Sequence, residues 1–218
     1  MGKKGSTRNK RRQRLSRERV LESALLLADA DGLGSVSMRN LAQALGVEAM
    51  SLYNYVANKE DLLDGMVDRI FAEIELPETD DWRQCMRERA ISVRRVLNHH
   101  PWAIGLLDSR YTPGPATLRH HDWVIGVLRK NGFSLPMTAH AFALLDSFIY
   151  GFVIQEASLP SSELPDHARE IVNNLPADRY PHLAELTGGH VLQPGYDFSN
   201  SFEFGLDLVL DGLDPGLR

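Results

Sequence analysis

The sequence predicts an all-α protein, and three observations support that fold class. Apolar residues recur every three or four positions in successive segments, which places them on one face of a helix. No segment keeps the alternation of apolar and polar residues that marks a half-buried strand, and no internal repeat is present. Residues suited to capping or ending helices fall at the boundaries of these segments. The 218 residues allow one or two domains with a substantial core.

Four helices are predicted for the first third of the chain. Ser16 is suited to cap the first helix, which the Gly-containing stretch 31–34 ends. Ser37 caps a second helix that runs to residue 45 and ends at a tight turn on Gly46. A third covers about 48–56, and Asn58 caps a fourth that extends over 59–76. The buried face of this fourth helix is predicted to carry Leu62, Leu63, Met66, Ile70 and Ile74.

Four longer helices are predicted beyond a break at Pro77 and the acidic stretch that follows it. Their predicted ranges are 82–98, 117–131, 136–158 and 199–213. A Pro- and Gly-rich region, 159–194, separates the last two and is expected to hold one or two short helices. The chain therefore divides into a small N-terminal helical domain and a larger one.

Composition and charge exclude several classes of protein. A single cysteine, Cys85, excludes an internal disulfide and zinc sites with several Cys ligands. The apolar stretch at 20–30 is broken by acidic residues, unlike a secretory signal. The run 139–154 is too short to cross a bilayer, so a cytoplasmic protein without a membrane partner is expected. The net charge of −5 hides an asymmetry: residues 1–19 hold nine basic residues and one acid, giving +8, while the remainder sums to −13.

The segment 37–56 has the pattern of a helix–turn–helix. Its inward positions are apolar, and Gly46 allows the turn between the two helices. The outward positions of the second helix are small, polar or aromatic and almost uncharged, which suits contact with base edges in a DNA groove. These positions are Ala49, Met50, Ser51, Tyr53 and Asn54. A helical pair with a purely structural role is the alternative that the pattern alone leaves open.

Residues 16–64 resemble the DNA-binding domain of the tetracycline-repressor (TetR) family. The resemblance rests on the helix pair and on the run L-Y-N-Y-V-A-N-K-E-D-L-L at 52–63, which is close to the family's L-Y-x-H/Y-V/F-x-N/S-K-x-x-L-L. It implies major-groove contacts from the second helix, and phosphate or base contacts around it. The DNA-binding residues so implied are Ser37, Met38, Arg39, Ala49, Met50, Ser51, Tyr53, Asn54, Tyr55 and Lys59.

Two basic features support this interpretation on physical grounds. Lys59 stands in the first turn of a helix, where a cation opposes the helix dipole and a bound phosphate would relieve the conflict. The basic segment 1–15 is expected to be a disordered arm that follows DNA phosphates, with a merely solubilising tail as the alternative.

The larger domain resembles, more weakly, the C-terminal domain of the tetracycline repressor's own branch of the family. The similar segments are 129–134, 151–156 and 202–207. That branch binds a drug–Mg²⁺ chelate through polar residues that include a metal-coordinating His. The corresponding positions here are Arg89, Val93, Leu107, Val124, Phe148 and Glu156. Because Leu107 replaces the coordinating His and only Glu156 keeps its residue type, we expect no metal and no cofactor.

A more apolar effector fits this residue set better than a metal chelate. Trp102, Trp123, Phe148 and Tyr150 are the expected aromatic contacts, with Arg89 as a candidate partner for an anion. Two helices that are apolar nearly all round are expected to form a dimer interface. Its predicted residues are Phe142, Leu145, Ile149, Phe152, Phe202, Leu206 and Val209.

The resulting prediction is a one-component transcriptional regulator, expected to be a repressor and not an enzyme. A disordered arm (1–15) and a DNA-binding domain (16–64) precede an effector-binding and dimerisation domain (65–218). A homodimer would bind a palindromic operator on double-stranded DNA, and a small-molecule effector would release it, with coupling through the fourth helix. Two alternatives are a ligand-independent DNA-binding protein and an enzyme that uses the His pairs at 99–100 and 120–121. No nucleophile motif, phosphate-binding Gly loop or HExxH supports the enzyme.

Overall fold

The computed structural model describes residues 14–107, 112–158, 170, 175–213 and 216. All regular structure within these ranges is helical, which confirms the predicted all-α class. Most of the predicted basic arm, residues 1–13, lies outside the described residues. The chain forms two compact units that divide between Met66 and Val67. The predicted division lay two residues earlier.

The first unit contains three helices and the beginning of a fourth, and its helix ends follow the local sequence. Ser16 accepts a hydrogen bond from the Arg19 N–H (3.3 Å) and Ser37 accepts one from the Asn40 N–H (3.2 Å), so both predicted caps are present. Gly46 ends the second helix in the left-handed conformation, with φ of 66°. The helices are α1 (Arg17–Asp31), α2 (Met38–Leu45), α3 (Ala49–Leu52) and α4 (Lys59–Glu73).

Helix α3 is shorter than the predicted range of 48–56. The Asn54 N–H donates to the Ser51 carbonyl and the Tyr55 N–H donates to the Leu52 carbonyl, and these three-residue steps tighten the chain into turns. Leu52 and Val56 nevertheless both reach the core, as predicted, because the turn keeps them on the inner side. Helix α4 also ends three residues before its predicted end.

The second unit begins with the last part of α4 and continues through six further helices in the described ranges. The four longest of these helices pack against one another and supply most of the core of the unit. A short helix at Ile104–Leu107 and the turn before it at Pro101–Ala103 were not predicted, because they are too short to show a periodic pattern. The helices are α5 (Trp82–His99), α6 (Ile104–Leu107), α7 (Pro115–Lys130), α8 (Leu135–Ser158), α9 (Pro181–Leu186) and α10 (Ser201–Gly212).

Helix α8 is long and apolar enough to cross a membrane by length and composition alone. The helix has 24 residues and extends beyond the run 139–154 that was predicted to be too short to span a bilayer. One side of α8 is buried against neighbouring helices through Ala141, Leu145, Ile149 and Val153. This packing is that of a core helix of the unit.

Candidate nucleic-acid interface and effector site

The predicted DNA-contacting residues of the first unit lie at or near its surface. Met50 is 76% exposed and Tyr53 46% exposed, values far above those of the inward-facing Leu52 on the same helix. Arg39 on α2 and Lys59, the first residue of α4, are both exposed. Asn54 is also exposed, while the half-buried members of the set are Ser37, Met38, Ala49, Ser51 and Tyr55. None of the ten residues is buried in the core.

Two polar side chains of this surface bond to their own backbone. The Ser51 hydroxyl donates to the Glu48 carbonyl (2.5 Å), and the Asn54 side-chain amide donates to the Ser51 carbonyl (3.2 Å). Met50 and Tyr53, on the same segment, are exposed to solvent. Both local bonds are exposed, so exchanging them for a base edge costs little.

An ion pair joins the start of α1 to the first turn of α4. Arg17 donates to Asp61 at 2.6 Å and to the Tyr55 carbonyl at 2.9 Å. Asp61 in turn accepts from the Ala57 N–H (2.8 Å), and its own N–H donates to Asn58, which confirms the predicted cap. The Arg17 guanidinium, with help from the Ala57 N–H, lowers the pKa of Asp61. This network fixes the turn that carries Tyr55 toward Lys59.

A second polar cluster lies in the interior of the other unit, where Arg89 on α5 meets residues of α7 and α8. Arg89 is fully buried, and its Nη2 atom lies 2.5 Å from Asp146 Oδ1. Its Nε–H donates to Nε2 of His120 over 3.0 Å. His120 is 1% exposed and the Asp146 side chain 13% exposed, so all three groups are shielded from solvent. A buried ion pair of this kind is costly unless each polar atom has a partner.

The ionisation and tautomer of His120 follow from these contacts. Burial, reinforced by the Arg89 charge, lowers the pKa of His120 to about 2, so the ring is neutral at physiological pH. Because Nε2 accepts from Arg89, the single ring proton resides on Nδ1. In the described residues, His120 Nδ1 and Arg89 Nη1 are both buried without a hydrogen-bond partner. Burial also lowers the pKa of the neighbouring His121.

Only some of the predicted effector-contacting residues share this interior. Val93 follows Arg89 by one turn of α5 and Val124 follows His120 by one turn of α7, and both are buried. Trp123 instead lines a cleft of ≈ 890 Å³ between α7 and the Pro77–Asp80 loop. Trp102, Leu107 and Tyr150 are half-buried on other segments.

Phe148 and Glu156, the remaining predicted effector contacts, are occupied by neighbouring side chains. The Phe148 ring lies 5.6 Å from the ring of Phe202. Glu156 accepts hydrogen bonds from Arg94 and from the Asn98 amide, and the Arg94 guanidinium lowers its pKa. The residues that the resemblance brought together as one set are therefore distributed over several places in the unit.

Comparison with known proteins identifies the family. A model described as bacterial regulatory proteins, tetR family, matches residues 20–66. A second, described as tetracyclin repressor-like, C-terminal domain, matches residues 75–216. The chain belongs to the TetR family. The expected resemblance to both domains is thus confirmed.

Relatives of this TetR-family chain are regulators. HTH-type transcriptional repressor DrrR1 of Streptomyces coeruleorubidus is 32% identical over 213 residues, covering 92% of this chain and 77% of that protein. Tetracycline repressor class D of Escherichia coli is 30% identical, covering 94% and 91%. The crystal structure of apo ActR from Streptomyces coelicolor has a TM-score of 0.77 at 30% identity, covering 91% of this chain and 94% of that one. The chain is therefore a DNA-binding transcriptional regulator and not an enzyme.

The structure of this TetR-family regulator changes the predicted dimer surface. Five of the seven predicted interface residues are buried within the protomer, so they belong to its own core. Exposed large apolar side chains of the same two helices include Leu144 (46%) and Ile154 (51%) on α8, and Phe204 (68%) and Leu208 (60%) on α10; Leu135, at the start of α8, is 69% exposed. The buried five are Leu145, Ile149, Phe152, Phe202 and Leu206, while Phe142 and Val209 are half-buried. The two helices stay the predicted interface, and within them the exposed residues are the ones available to a partner.

Two members of the Arg89 cluster were not among the site residues predicted from the sequence. His120 was considered only for a metal or catalytic role, and Asp146 was noted only as an interruption of an apolar run. That interruption was the available signal, because an isolated acid in an apolar helix needs a partner when the helix is buried. Arg89 supplies it from 57 residues away along the chain.

Proposed function

We propose that this regulator represses transcription as a cytoplasmic homodimer on a palindromic operator and is released by a small, largely apolar effector. The observation that carries the proposal is the exposure of Met50 on α3 and of Tyr53 directly after it, together with that of two cations of the same unit, Arg39 and Lys59. Uncharged side chains flanked by cations match a groove lined by base edges and bordered by phosphates.

The exposed apolar residues of α8 and α10 support dimerisation. Leu144, Phe204 and Leu208 would face water in a monomer, and apolar exposure of this kind on adjacent helices is typical of a protein interface. Two-fold symmetry would place two copies of α3 in successive major grooves, about 34 Å apart. A palindromic operator follows from that symmetry.

Structures of a relative support the proposal that this regulator binds a small-molecule effector. ActR, at 30% identity, has been solved in complex with actinorhodin and with (S)-DNPA. The interior around Val93 and Val124 offers apolar walls to a ligand in the second unit. Helix α4 supplies residues to both units and is the proposed route by which effector binding alters the DNA-binding heads. A regulator that responds to an effector is therefore favoured over a ligand-independent one.

The DNA surface is tested by two alanine variants, each with a matched control. Operator duplexes are first selected from a random-sequence library with the wild-type protein. Tyr53→Ala and Lys59→Ala should each weaken operator binding by about tenfold or more, and Lys59→Ala should lower the salt dependence by roughly one phosphate contact, a slope of about 0.9. Tyr180→Ala removes a tyrosine of equal exposure (46%) in the other unit, and Lys130→Ala removes an exposed lysine of α7. Wild-type affinity in Tyr53→Ala and Lys59→Ala would refute the assigned surface.

The dimer is tested by sedimentation of Leu208→Asp. A charge at the centre of an apolar interface should dissociate the dimer and with it the binding of a full palindrome. Leu118→Asp is the control, since Leu118 is an exposed leucine (54%) on a different helix. A Leu208→Asp protein that sediments as a dimer would show that the interface lies elsewhere.

A further inference from the structure

The Arg89–His120–Asp146 cluster leaves two hydrogen-bond donors unused in a buried place. Arg89 Nη1 can only donate, because a guanidinium has no acceptor atom. His120 Nδ1 carries the single ring proton, because Nε2 accepts from Arg89, so Nδ1 too is a donor. Within the described residues of this unit, these are the buried side-chain atoms without a partner. A group that satisfies them must therefore be an acceptor.

The charge of the cluster narrows the class of acceptor. Asp146, 2.5 Å from Arg89, already balances the guanidinium charge, and His120 is neutral. A carboxylate entering this place would bury one unbalanced negative charge, which is strongly unfavourable away from water. An uncharged oxygen, such as that of a ketone, would accept from the donors without changing the net charge.

The surroundings describe the rest of such a molecule. Val93 and Val124 continue the same faces of α5 and α7 as apolar, buried surface. The ring of Phe71 lies 5.1 Å from the ring of His120, which adds an aromatic wall. A ligand that fits would join an apolar ring body to a polar oxygen at one end.

We propose that the effector presents an uncharged carbonyl-type oxygen to Arg89 Nη1 and His120 Nδ1, with Asp146 holding the arginine in place. The inference rests on the proposed function, because it places the effector in the second unit. It replaces the sequence expectation that Arg89 receives an anion. Arg89 and His120 are the binding residues, and Asp146 is a positioning residue.

Three compounds that share the fluorene ring system test the proposal in the wild-type protein. 9-Fluorenone carries the ketone, fluorene lacks any oxygen, and fluorene-9-carboxylate carries an anion. Binding is followed by quenching of tryptophan fluorescence, since all three tryptophans belong to the second unit. We expect 9-fluorenone to bind about tenfold or more tightly than either of the other two. Equal affinities, a preference for the carboxylate, or no binding of 9-fluorenone would each overturn the proposal.

Variants of His120 and Arg89 test whether these two donors cause the preference for 9-fluorenone over fluorene. His120→Gln keeps an acceptor for Arg89 and a donor for the ligand, so it should retain the preference for 9-fluorenone over fluorene. His120→Met offers only a weak acceptor and no donor, and Arg89→Lys keeps the charge beside Asp146 but loses Nη1; each should reduce the preference severalfold. Circular dichroism verifies that the variants are folded. An unchanged preference in folded His120→Met and Arg89→Lys would refute the assignment.

Nitrogen-15 spectra of labelled histidine provide a readout that needs no variant. The ring of His120 should show the proton on Nδ1, and its signal should move when 9-fluorenone binds but not when fluorene binds. A proton on Nε2 would contradict the arrangement from which the proposal is drawn. Operator binding is measured in parallel. If the operator is bound and released by the carboxylate instead, this inference fails while the regulator stands; if no operator is found, the proposed function itself fails.

Discussion

The burial of His120 makes the second unit sensitive to acid in a predictable way. The pKa of its ring is lowered to about 2 in the folded protein, against 6.5 for an ordinary histidine. As the pH falls through 6.5, the histidine of the unfolded chain binds a proton, whereas the buried ring of the folded protein stays neutral. The stabilising contribution is therefore complete above that pH and is lost progressively below it. Between about pH 7.5 and about pH 5.5, one such group lowers the free energy of unfolding by about 1.4 kcal/mol.

Urea unfolding at the two pH values measures this loss. The tryptophans report on the second unit, and the protein concentration is held constant because dimerisation would shift the midpoint. Wild type should lose about 1.4 kcal/mol more on acidification than His120→Gln, which cannot take up the proton. His140→Gln, which removes an exposed histidine from α8, should behave as wild type. His121 is present in all three proteins, so its contribution cancels in the comparison.

The stability of His120→Gln at low pH decides whether the His120 ring is neutral in the folded protein. If His120→Gln loses as much stability on acidification as wild type, then His120 is protonated in the folded state. The Arg89 Nε–H could then not donate to it, and the tautomer that leaves Nδ1 as a donor would be wrong as well. The experiment thus tests the geometry of the cluster independently of any ligand.

Further predictions concern a close helix contact and the support of the DNA-binding turn. Gly114→Ala should lower stability by about 1–3 kcal/mol in thermal unfolding, because a Cβ there would lie 2.3 Å from the Asp68 carboxyl carbon. Gly126→Ala in α7 meets nothing within 4 Å and should instead raise stability by about 0.5–1 kcal/mol. Arg17→Ala should destabilise the first unit by about 1 kcal/mol, seen as faster amide exchange in α3, since it removes the bonds to Asp61 and the adjoining turn. High salt should shrink the Arg17 effect, and a salt-independent loss would point to packing instead.

The parts of the fold that depend on neighbouring residues were predictable from the sequence. Ser16, Ser37, Gly46 and Asn58 all cap or end helices as expected, because a cap satisfies backbone groups only two or three residues away. The type and approximate range of each long helix followed from apolar spacing in the same way. What failed locally was the length of α3, where turns replace a helix without any break in the apolar pattern.

The division of α8 into a buried and an exposed face, and the partners of Arg89, required information that spacing does not contain. Helix α8 is apolar on both sides. Apolar residues recur at helical spacing on the face that contains Leu145 and on the face that contains Leu144, so the sequence does not show which face is buried. Only packing against α5, α7 and α10 decides that Leu145 is buried and Leu144 exposed. The resemblance singled out Arg89 as an effector contact, but the partners that Arg89 has in the structure come from helices that are remote in sequence.

The buried cluster also bears on how an effector could switch such a regulator. An effector shifts a conformational equilibrium only by the difference in its affinity for the two states, however tightly it binds. Tight packing of a ring against Val93 and Val124 would not by itself distinguish two arrangements of the same helices. The donors of Arg89 and His120 can distinguish two such arrangements, because their positions depend on three helices. Arg89 on α5 is hydrogen-bonded both to His120 on α7 and to Asp146 on α8. A hydrogen bond weakens steeply when its donor and acceptor move out of line, whereas an apolar contact tolerates such a movement. An oxygen that accepts from both donors would therefore favour the one arrangement of α5, α7 and α8 that brings both donors within hydrogen-bonding distance of it. We therefore expect His120→Met to weaken the release of the operator by 9-fluorenone more than it weakens the binding of fluorene. Equal effects on release and on fluorene binding would show that apolar contacts, and not the two donors, distinguish the two states.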